Sequence, residues 1–268
     1  MAYNYGIRTW QSRQFIIELN PQQKERYQAH LALPGFDDRT QFQLSSSSVA
    51  ILGLGGAGSI AAAHLTASGI GKIVLTDNQN IQFADLLHPV YLTELDLGRN
   101  RANAYAEKLA AVNLDTNITG QKTDLNPETI EEVLADCDLV IDCLSDWNTK
   151  LLLSDTCMQK DLPLVHGSIS NFRWQCFVMV PRRSCCLRCA LTLVGLEDMP
   201  ISTAGTKNFS PLASMLGAVQ ATEALKYLAK LGATPATSFM QYDGLRSEFY
   251  TSEGLIAQKD CPDCSRSS

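Results

Sequence analysis

Val49-Ala-Ile-Leu-Gly-Leu-Gly-Gly-Ala-Gly58 is the stretch that decides how the rest of the chain is read. Its apolar half, bounded by glycines, suits a strand buried on both faces, as in a parallel sheet. Gly53, Gly55, Gly56 and Gly58 follow that strand and open a helix of small residues, Ser59 to Ser68, with Gly69 at its C′ position. In this setting each glycine has a use. The first allows a tight turn, the second lets backbone approach a phosphate, and the last lets the helix pack closely on the sheet. The helix N-terminus then presents unpaired N–H groups and a partial positive charge to an anion. Asp77 ends the next buried strand, Lys72-Ile-Val-Leu-Thr-Asp77, where a carboxylate accepts from ribose hydroxyls. The pattern points to a nucleotide. A nicotinamide dehydrogenase and an ATP user both remain open, and the bland alternative is a glycine turn with no ligand.

Working outward, Asp138-Leu-Val-Ile-Asp142, Leu162 to Val165 and Cys176 to Val180 read as three further buried strands. Between them, Arg99 to Val112 is alanine-rich and helical in period, and Asn126-Pro127 opens a helix to about Ala135. Strands alternating with helices imply βαβ units and a mostly parallel sheet. Leu212 to Leu231 is a long helix whose apolar surface is interrupted by Gln220, Glu223 and Lys226. The first 45 residues are polar and mixed, which divides the chain into an N-terminal helical extension, 1–45, and a main domain, 46–268. No internal repeat is visible.

With 268 residues, the chain has the length of one or two domains. Hydrophobic residues make up 45% and charged residues 19%, enough apolar material for a large core. A net charge of −6 argues against a binder of nucleic-acid backbone. The N-terminus lacks a basic start followed by an apolar run, and no stretch of ~18 apolar residues occurs, so a cytoplasmic protein is expected. Nine cysteines, an odd number, then read as thiols or a metal site and not as a disulfide framework. Cys186-Leu-Arg-Cys189 and Cys261-Pro-Asp-Cys264 form two C-x-x-C pairs, each able to grip one side of a tetrahedral zinc ion. Four thiolates leave no position for water, so the zinc would be structural; a redox disulfide is the rival reading. Cys185 breaks the two-residue spacing. Cys137, Cys143, Cys157 and Cys176 lie in or beside apolar runs, where small buried hydrophobes are the default.

These pieces together resemble the MoeB/ThiF/HesA family, the adenylyltransferases of the ubiquitin-activating type. The resemblance rests on the glycine loop, Asp77, Asp142-Cys143 ending a later strand, and the paired C-x-x-C. Tyr27 to Phe36, Leu162 to Ile169, Gly217 to Lys226 and Gln241-Tyr-Asp-Gly244 also fall in family order. It spans about Tyr27 to Cys264. It implies a Rossmann-like, mostly parallel sheet with flanking helices and a C-terminal zinc-clamped arm. It also implies a homodimer, or a pair with a homologous subunit, that binds Mg-ATP. The activity implied is adenylation of the C-terminal carboxylate of a ubiquitin-like protein or small peptide, with no role for nucleic acid or membrane. The dehydrogenase reading then has no place.

The departures are equally informative. Ala29 stands where the family has an arginine that reaches the partner's ATP, Asp85 and His88 replace an asparagine and an arginine, and Arg101 replaces a lysine. The magnesium-placing aspartate maps to Asp146 if one extra residue is accommodated, and Lys150 keeps a basic position after it. Arg101, Asp146, His88 and Lys150 are thus the expected catalytic residues, and the chemical half of the site is altered. Gly195 to Pro211, matching the family's crossover loop, holds no cysteine, so no thioester is expected there. His30, His64 and His166 read as structural, and Trp147 as a pocket wall or core aromatic. A non-catalytic scaffold that binds a peptide or partner subunit is the alternative, and other nucleotide chemistry on the same fold a third.

Overall fold

The protein is described by a computed structural model over residues 18–88, 91–196, 208–232 and 236–264. Asn20 caps the first helix, α1 (Pro21–Arg26), by accepting from the Gln23 N–H. The chain continues through α2 (Gln28–Leu31) to α3 (Asp38–Ser45), which starts on the side chain of Asp37. Phe36 and Leu44 are buried in the same core as the first strand. Within the expected extension, Phe36 and α3 therefore pack into the core that the first strand shares, α1 and α2 bury no residue, and residues 1–17 lie outside the described residues.

The βαβ reading accounts for the centre of the molecule. β1 (Ser48–Leu52), α4 (Gly56–Ala67) and β2 (Lys72–Thr76) form one unit. α5 (Arg101–Ala110) and β3 (Asn117–Gln121) extend it outward on one side. After α6 (Ile130–Val133) the chain returns to the other side of β1 as β4 (Leu139–Asp142), and α7 (Trp147–Gln159) leads to β5 (Leu164–Ser170). These five strands are parallel in the order β3-β2-β1-β4-β5. β6 (Arg173–Met179) turns back antiparallel. After α8 (Leu187–Leu193) and α9 (Ser210–Ala229), β7 (Phe239–Asp243) and β8 (Glu248–Ser252) complete an eight-stranded sheet. The sheet is Rossmann-like and mostly parallel, with an antiparallel half that the strand pattern did not foretell.

Each central strand sends alternate residues to two cores. Val49 and Ile51 join a cluster under α4, α5 and α9; Ala50 and Leu52 join one under α6, α7 and α8. Burial on both faces is why these strands read as unbroken apolar runs. The polar residues of α9 are not on a solvent face. Gln220 is wholly buried and donates to the carbonyls of Asp142 and Val165, 2.8 and 3.2 Å away, tying β4 to β5. Asn126 caps as expected, accepting from Glu128 and Thr129 N–H, but that makes a turn, and helical pairing begins later. The chain leaves β1 toward β2 on one side and returns through β4 on the other, so a crevice opens at the strands' C-terminal ends. No helix of the described residues is long and apolar enough to cross a membrane.

Candidate active site

The glycine loop lies in that crevice, and its geometry explains its composition. Gly53 has φ +87°, and a Cβ there would lie 2.6 Å from the Cys143 carbonyl oxygen. A Cβ on Gly58 would fall 1.9 Å from the Gly53 carbonyl oxygen, so loop and helix can approach only without one. Gly55 is different: a Cβ there meets nothing within 4 Å, and the residue lines a cavity of about 700 Å³. Gly55 is also the N-cap of α4 and offers its first turn no side-chain bond. The cradle therefore faces open space with its N–H groups available to an anion.

Asp77 forms the wall beside the loop. Its carboxylate accepts from the N–H groups of Leu54 and Gln79, both at 2.8 Å, so the aspartate is locked to the loop it serves. Asn100, the N-cap of α5, donates to the carbonyls of Asp77 and Gln79 and fixes this turn from the other side. Asp77, Asp85, His88, Arg101 and Asp146 all line the same cavity as Gly53, Gly55 and Gly56. Gly58 lies just behind it, as does Lys150.

The two replaced residues Asp85 and Arg101 are paired with each other. Arg101 donates from Nε and Nη2 to the two Asp85 oxygens at 3.1 and 2.6 Å, a bidentate bond, and its Nη1 lies 3.6 Å from Asp77. Arg101 is the one permanent cation among the described residues lining the cavity, and two carboxylates hold it. His88 packs on the loop: a Cβ on Gly56 would lie 2.6 Å from its Nδ1. Burial lowers the His88 pKa below its usual value and Arg101 adds to this, against the opposing pull of Asp85. These surroundings disfavour the charged form of His88.

Asp146 caps α7, one oxygen accepting from the Thr149 N–H and hydroxyl, both at 2.8 Å. Asp124, which the sequence reading did not single out, lines the cavity and accepts from Asn78 at 2.9 Å. It follows β3, a strand too polar to be recognised from its pattern. Lys150, expected to serve catalysis, does not line the cavity. Its ammonium is buried, donating to both Asp142 oxygens at 3.0 and 3.1 Å and to the Gly167 carbonyl at 2.7 Å. His166 completes the cluster, its Nδ1 2.7 Å from Asp142. Burial raises the Asp142 pKa, but Lys150 and His166 outweigh it and hold the carboxylate below its usual range. Burial and then Lys150 push His166 below its usual value. The result is an ion pair, Lys150 and Asp142, with a neutral imidazole beneath the cavity floor. His166 is structural in this sense, and Trp147 packs beside it with ring centroids 5.7 Å apart.

The four cysteines of the C-x-x-C pairs converge although the pairs are far apart in sequence. Their sulfurs lie within 4.8 Å of one another, with Cys186–Cys261 and Cys189–Cys264 each at 3.6 Å. A disulfide needs ~2.05 Å. Tetrahedral zinc with Zn–S near 2.3 Å spaces its sulfurs about 3.8 Å apart, so the set fits that ion. The other cysteines are poor nucleophiles. Burial pushes the Cys143 and Cys185 thiols up to about 12, and raises Cys137, Cys157 and Cys176. Most of the loop without cysteine, residues 197–207, lies outside the described residues.

The sequence model of the ThiF family matches residues 27–265, and the chain belongs to that family. The SAMP-activating enzyme E1 of Haloferax volcanii is 29% identical over 248 residues, 92% of this chain and 91% of that protein. The sulfur carrier protein ThiS adenylyltransferase of Escherichia coli is also 29% identical, over 92% of this chain and 97% of that one. Among solved structures, E. coli MccB with ATP superposes with a TM-score of 0.78 at 19% identity, over 92% of this chain and 75% of that one. The microcin C7 biosynthetic enzyme MccB in complex with N-formylated MccA gives 0.72 at 19%, over 84% and 69%. At that identity the structures establish a shared fold.

Proposed function

We propose that this ThiF-family chain is an ATP-dependent adenylyltransferase acting on the C-terminal carboxylate of a small carrier protein or peptide. The observation that carries this reading is the open glycine cradle at Gly55, in one cavity with Asp77 and Arg101. Names of the full-length relatives support it, since two of them are activating or adenylylating enzymes of small proteins. The scaffold alternative is not favoured.

In the reaction, a carboxylate oxygen attacks the α-phosphorus of ATP in line, a P–O bond forms, the α–β bridging bond breaks, and pyrophosphate leaves. Two anions must meet, so catalysis is mostly positioning plus opposite charge. Backbone N–H groups from Gly55 onward are proposed to hold phosphates, those of Gly53 and Leu54 being taken by Thr76 and Asp77, and Asp77 to accept from the ribose. Arg101 is proposed to face the phosphates, with Asp85 fixing its orientation while offsetting part of its charge. The free oxygen of Asp146, with Asp124, would hold a magnesium ion, which supplies further positive charge to the phosphates when bound. His88 is proposed to shape the loop, its charged form being disfavoured. Lys150 acts as a positioning residue, holding Asp142 and the carbonyl of Gly167 at the cavity floor. The Cys186, Cys189, Cys261 and Cys264 set would hold structural zinc and fasten the C-terminal turn to α8. The protein is further proposed to be cytoplasmic and a homodimer or paired with a homologous subunit.

Exchange of labelled pyrophosphate into ATP, with magnesium and candidate C-terminal peptides, tests the reading. Exchange dependent on a free peptide carboxylate is expected. Absence of exchange with every peptide, together with absence of ATP binding by calorimetry, rejects the enzyme.

A further inference from the structure

A second cavity, of about 590 Å³, opens on the antiparallel half of the sheet and adjoins the nucleotide cavity, since Ser168 and Ile169 line both. Its volume lies in the ~300–1,000 Å³ range of ligand pockets. The register explains its floor. Ser168 lies opposite Gln175, Gln175 opposite Gln241, and Gln241 opposite Tyr250, so one row of side chains crosses four strands on one face. The row one step deeper, His166, Phe177 and Phe239, is covered by the core under α7 and α8. Over the Gln175 row lies the cavity, walled by Trp147, the first residue of α7, and by Leu196. The row thus runs from the nucleotide cavity to the last strand of the sheet. At ~4.8 Å per strand it spans about 14 Å, the length of roughly four extended residues.

Gln175 is the anomaly in this row. It is only 6% exposed and lines the cavity, yet its Nε2 has no acceptor among the described residues. A buried amide donor without a partner is destabilising. No protein bond has to break for this amide to turn toward a carbonyl in the cavity. Trp147 and Leu196 bound the cavity, Tyr250 ends the row, and the Arg173–Asp243 ion pair lies one step outward along the same strands.

Resting on the adenylation reading, we propose that this cavity receives a large apolar side chain from the last few residues of the acyl substrate, while a peptide carbonyl accepts from Gln175. The substrate class follows. It is a peptide or protein tail with a bulky residue near its C-terminal carboxylate; a tail of glycines leaves the cavity empty. Continuity with the nucleotide cavity selects this occupant, because a chain delivering its carboxylate to the α-phosphate passes Ser168 on the way.

The test uses synthetic octapeptides that are glycine throughout their last four residues, or carry one Leu or Phe at each of those positions before the last. In pyrophosphate exchange, one bulky position is expected to lower the peptide KM about tenfold or more, with kcat little changed. Gln175→Leu is expected to raise that KM about tenfold and leave the Kd for ATP unchanged. It should also raise the melting temperature, by about 2–4 °C, because it removes an unpaired donor. Equal KM for glycine and bulky peptides overturns the proposal, as it would if another segment of this chain filled the cavity. A Gln175→Leu protein with unchanged KM, or with a lowered melting temperature and lost ATP binding, assigns Gln175 a structural role and also overturns it. Calorimetry of peptide binding separates the two readings. Preferential binding of bulky peptides without exchange supports the cavity and rejects adenylation, whereas equal exchange with all peptides does the reverse. Binding of no peptide rejects both.

Discussion

Gly55 and Gly58 stand in one loop but answer to different demands. At Gly58 a methyl group would collide with the Gly53 carbonyl, whereas at Gly55 it would enter open cavity from an extended backbone. Gly58→Ala is therefore expected to destabilise the fold by about 1–3 kcal/mol in urea titration, the scale of an overpacked site. Gly55→Ala should keep wild-type stability and weaken ATP binding by about tenfold or more, read by calorimetry. The reverse pattern would contradict the cradle assignment. The division into a ligand glycine and a packing glycine was legible in the motif itself, with the second glycine open and the last one crowded. What the sequence could not show is that Gly53 faces the carbonyl of Cys143, far along the chain. Lys150 shows the same limit. Its charge and its spacing from Asp142 are visible in the sequence, but not that Asp142 and Gly167 take up its ammonium. Lys150→Met leaves Asp142 buried without its cation and should cost about 3–5 kcal/mol. His88 and His166 both titrate below the usual histidine value in the folded chain. The unfolded chain therefore binds more protons as pH falls through about 6.5, and the native state loses stability there. A lower urea midpoint at pH 5 than at pH 7 is expected; an unchanged or higher one would show that these imidazoles are not held neutral.

At the scale of elements, the site is an intersection of chain ends. β1 delivers the glycine loop, β2 Asp77, the start of α5 Arg101, and the start of α7 Asp146. The replaced pair Asp85 and Arg101 joins a short helical turn to α5 and ties down the one permanent cation among the described residues lining the cavity. Arg101→Met is expected to reduce pyrophosphate exchange by about 10²–10³, the effect of losing one transition-state donor. Asp85→Asn releases Arg101 from its bidentate partner and should increase exchange; a decrease would show that orientation by Asp85 outweighs the charge it neutralises. The zinc clasp belongs to this scale too, since it joins the start of α8 to residues 261–264. Cys189→Ser should lower metal content well below one zinc per chain and reduce stability by several kcal/mol, against the ~10–16 kcal/mol that structural zinc binding carries. A fully folded, zinc-loaded variant would reject the ligand set. β1, β2 and β4 were legible because they are buried on both faces and read as apolar runs. β3 and β8 were not, because Asn117–Gln121 and Glu248–Ser252 are partly or largely exposed and carry polar residues; β7, Phe239–Asp243, is half-buried and too short and mixed to stand out. The direction of β6 leaves no trace in composition, since an apolar strand is the same string whichever way it runs.

For the whole molecule, the arrangement places two cavities side by side on one sheet, one lined by glycines and several charged groups, the other mainly by apolar, aromatic and amide side chains with the Arg173–Asp243 ion pair at its edge. That division suits a reaction joining an unchanging nucleotide to a variable acyl chain. The nine cysteines divide likewise: four converge on a metal-sized site and five are protonated thiols. This leaves the chemistry to phosphate and carboxylate. The most direct test follows the oxygen atom. A peptide that the protein binds is labelled with ¹⁸O in its C-terminal carboxylate and turned over with ATP, and the activated acyl product is allowed to hydrolyse at its carbonyl carbon. Attack on the α-phosphorus transfers one labelled oxygen into AMP, so AMP carrying that label is expected. Label in inorganic phosphate, with ADP as the other product, would place the attack at the γ-phosphorus and contradict adenylation.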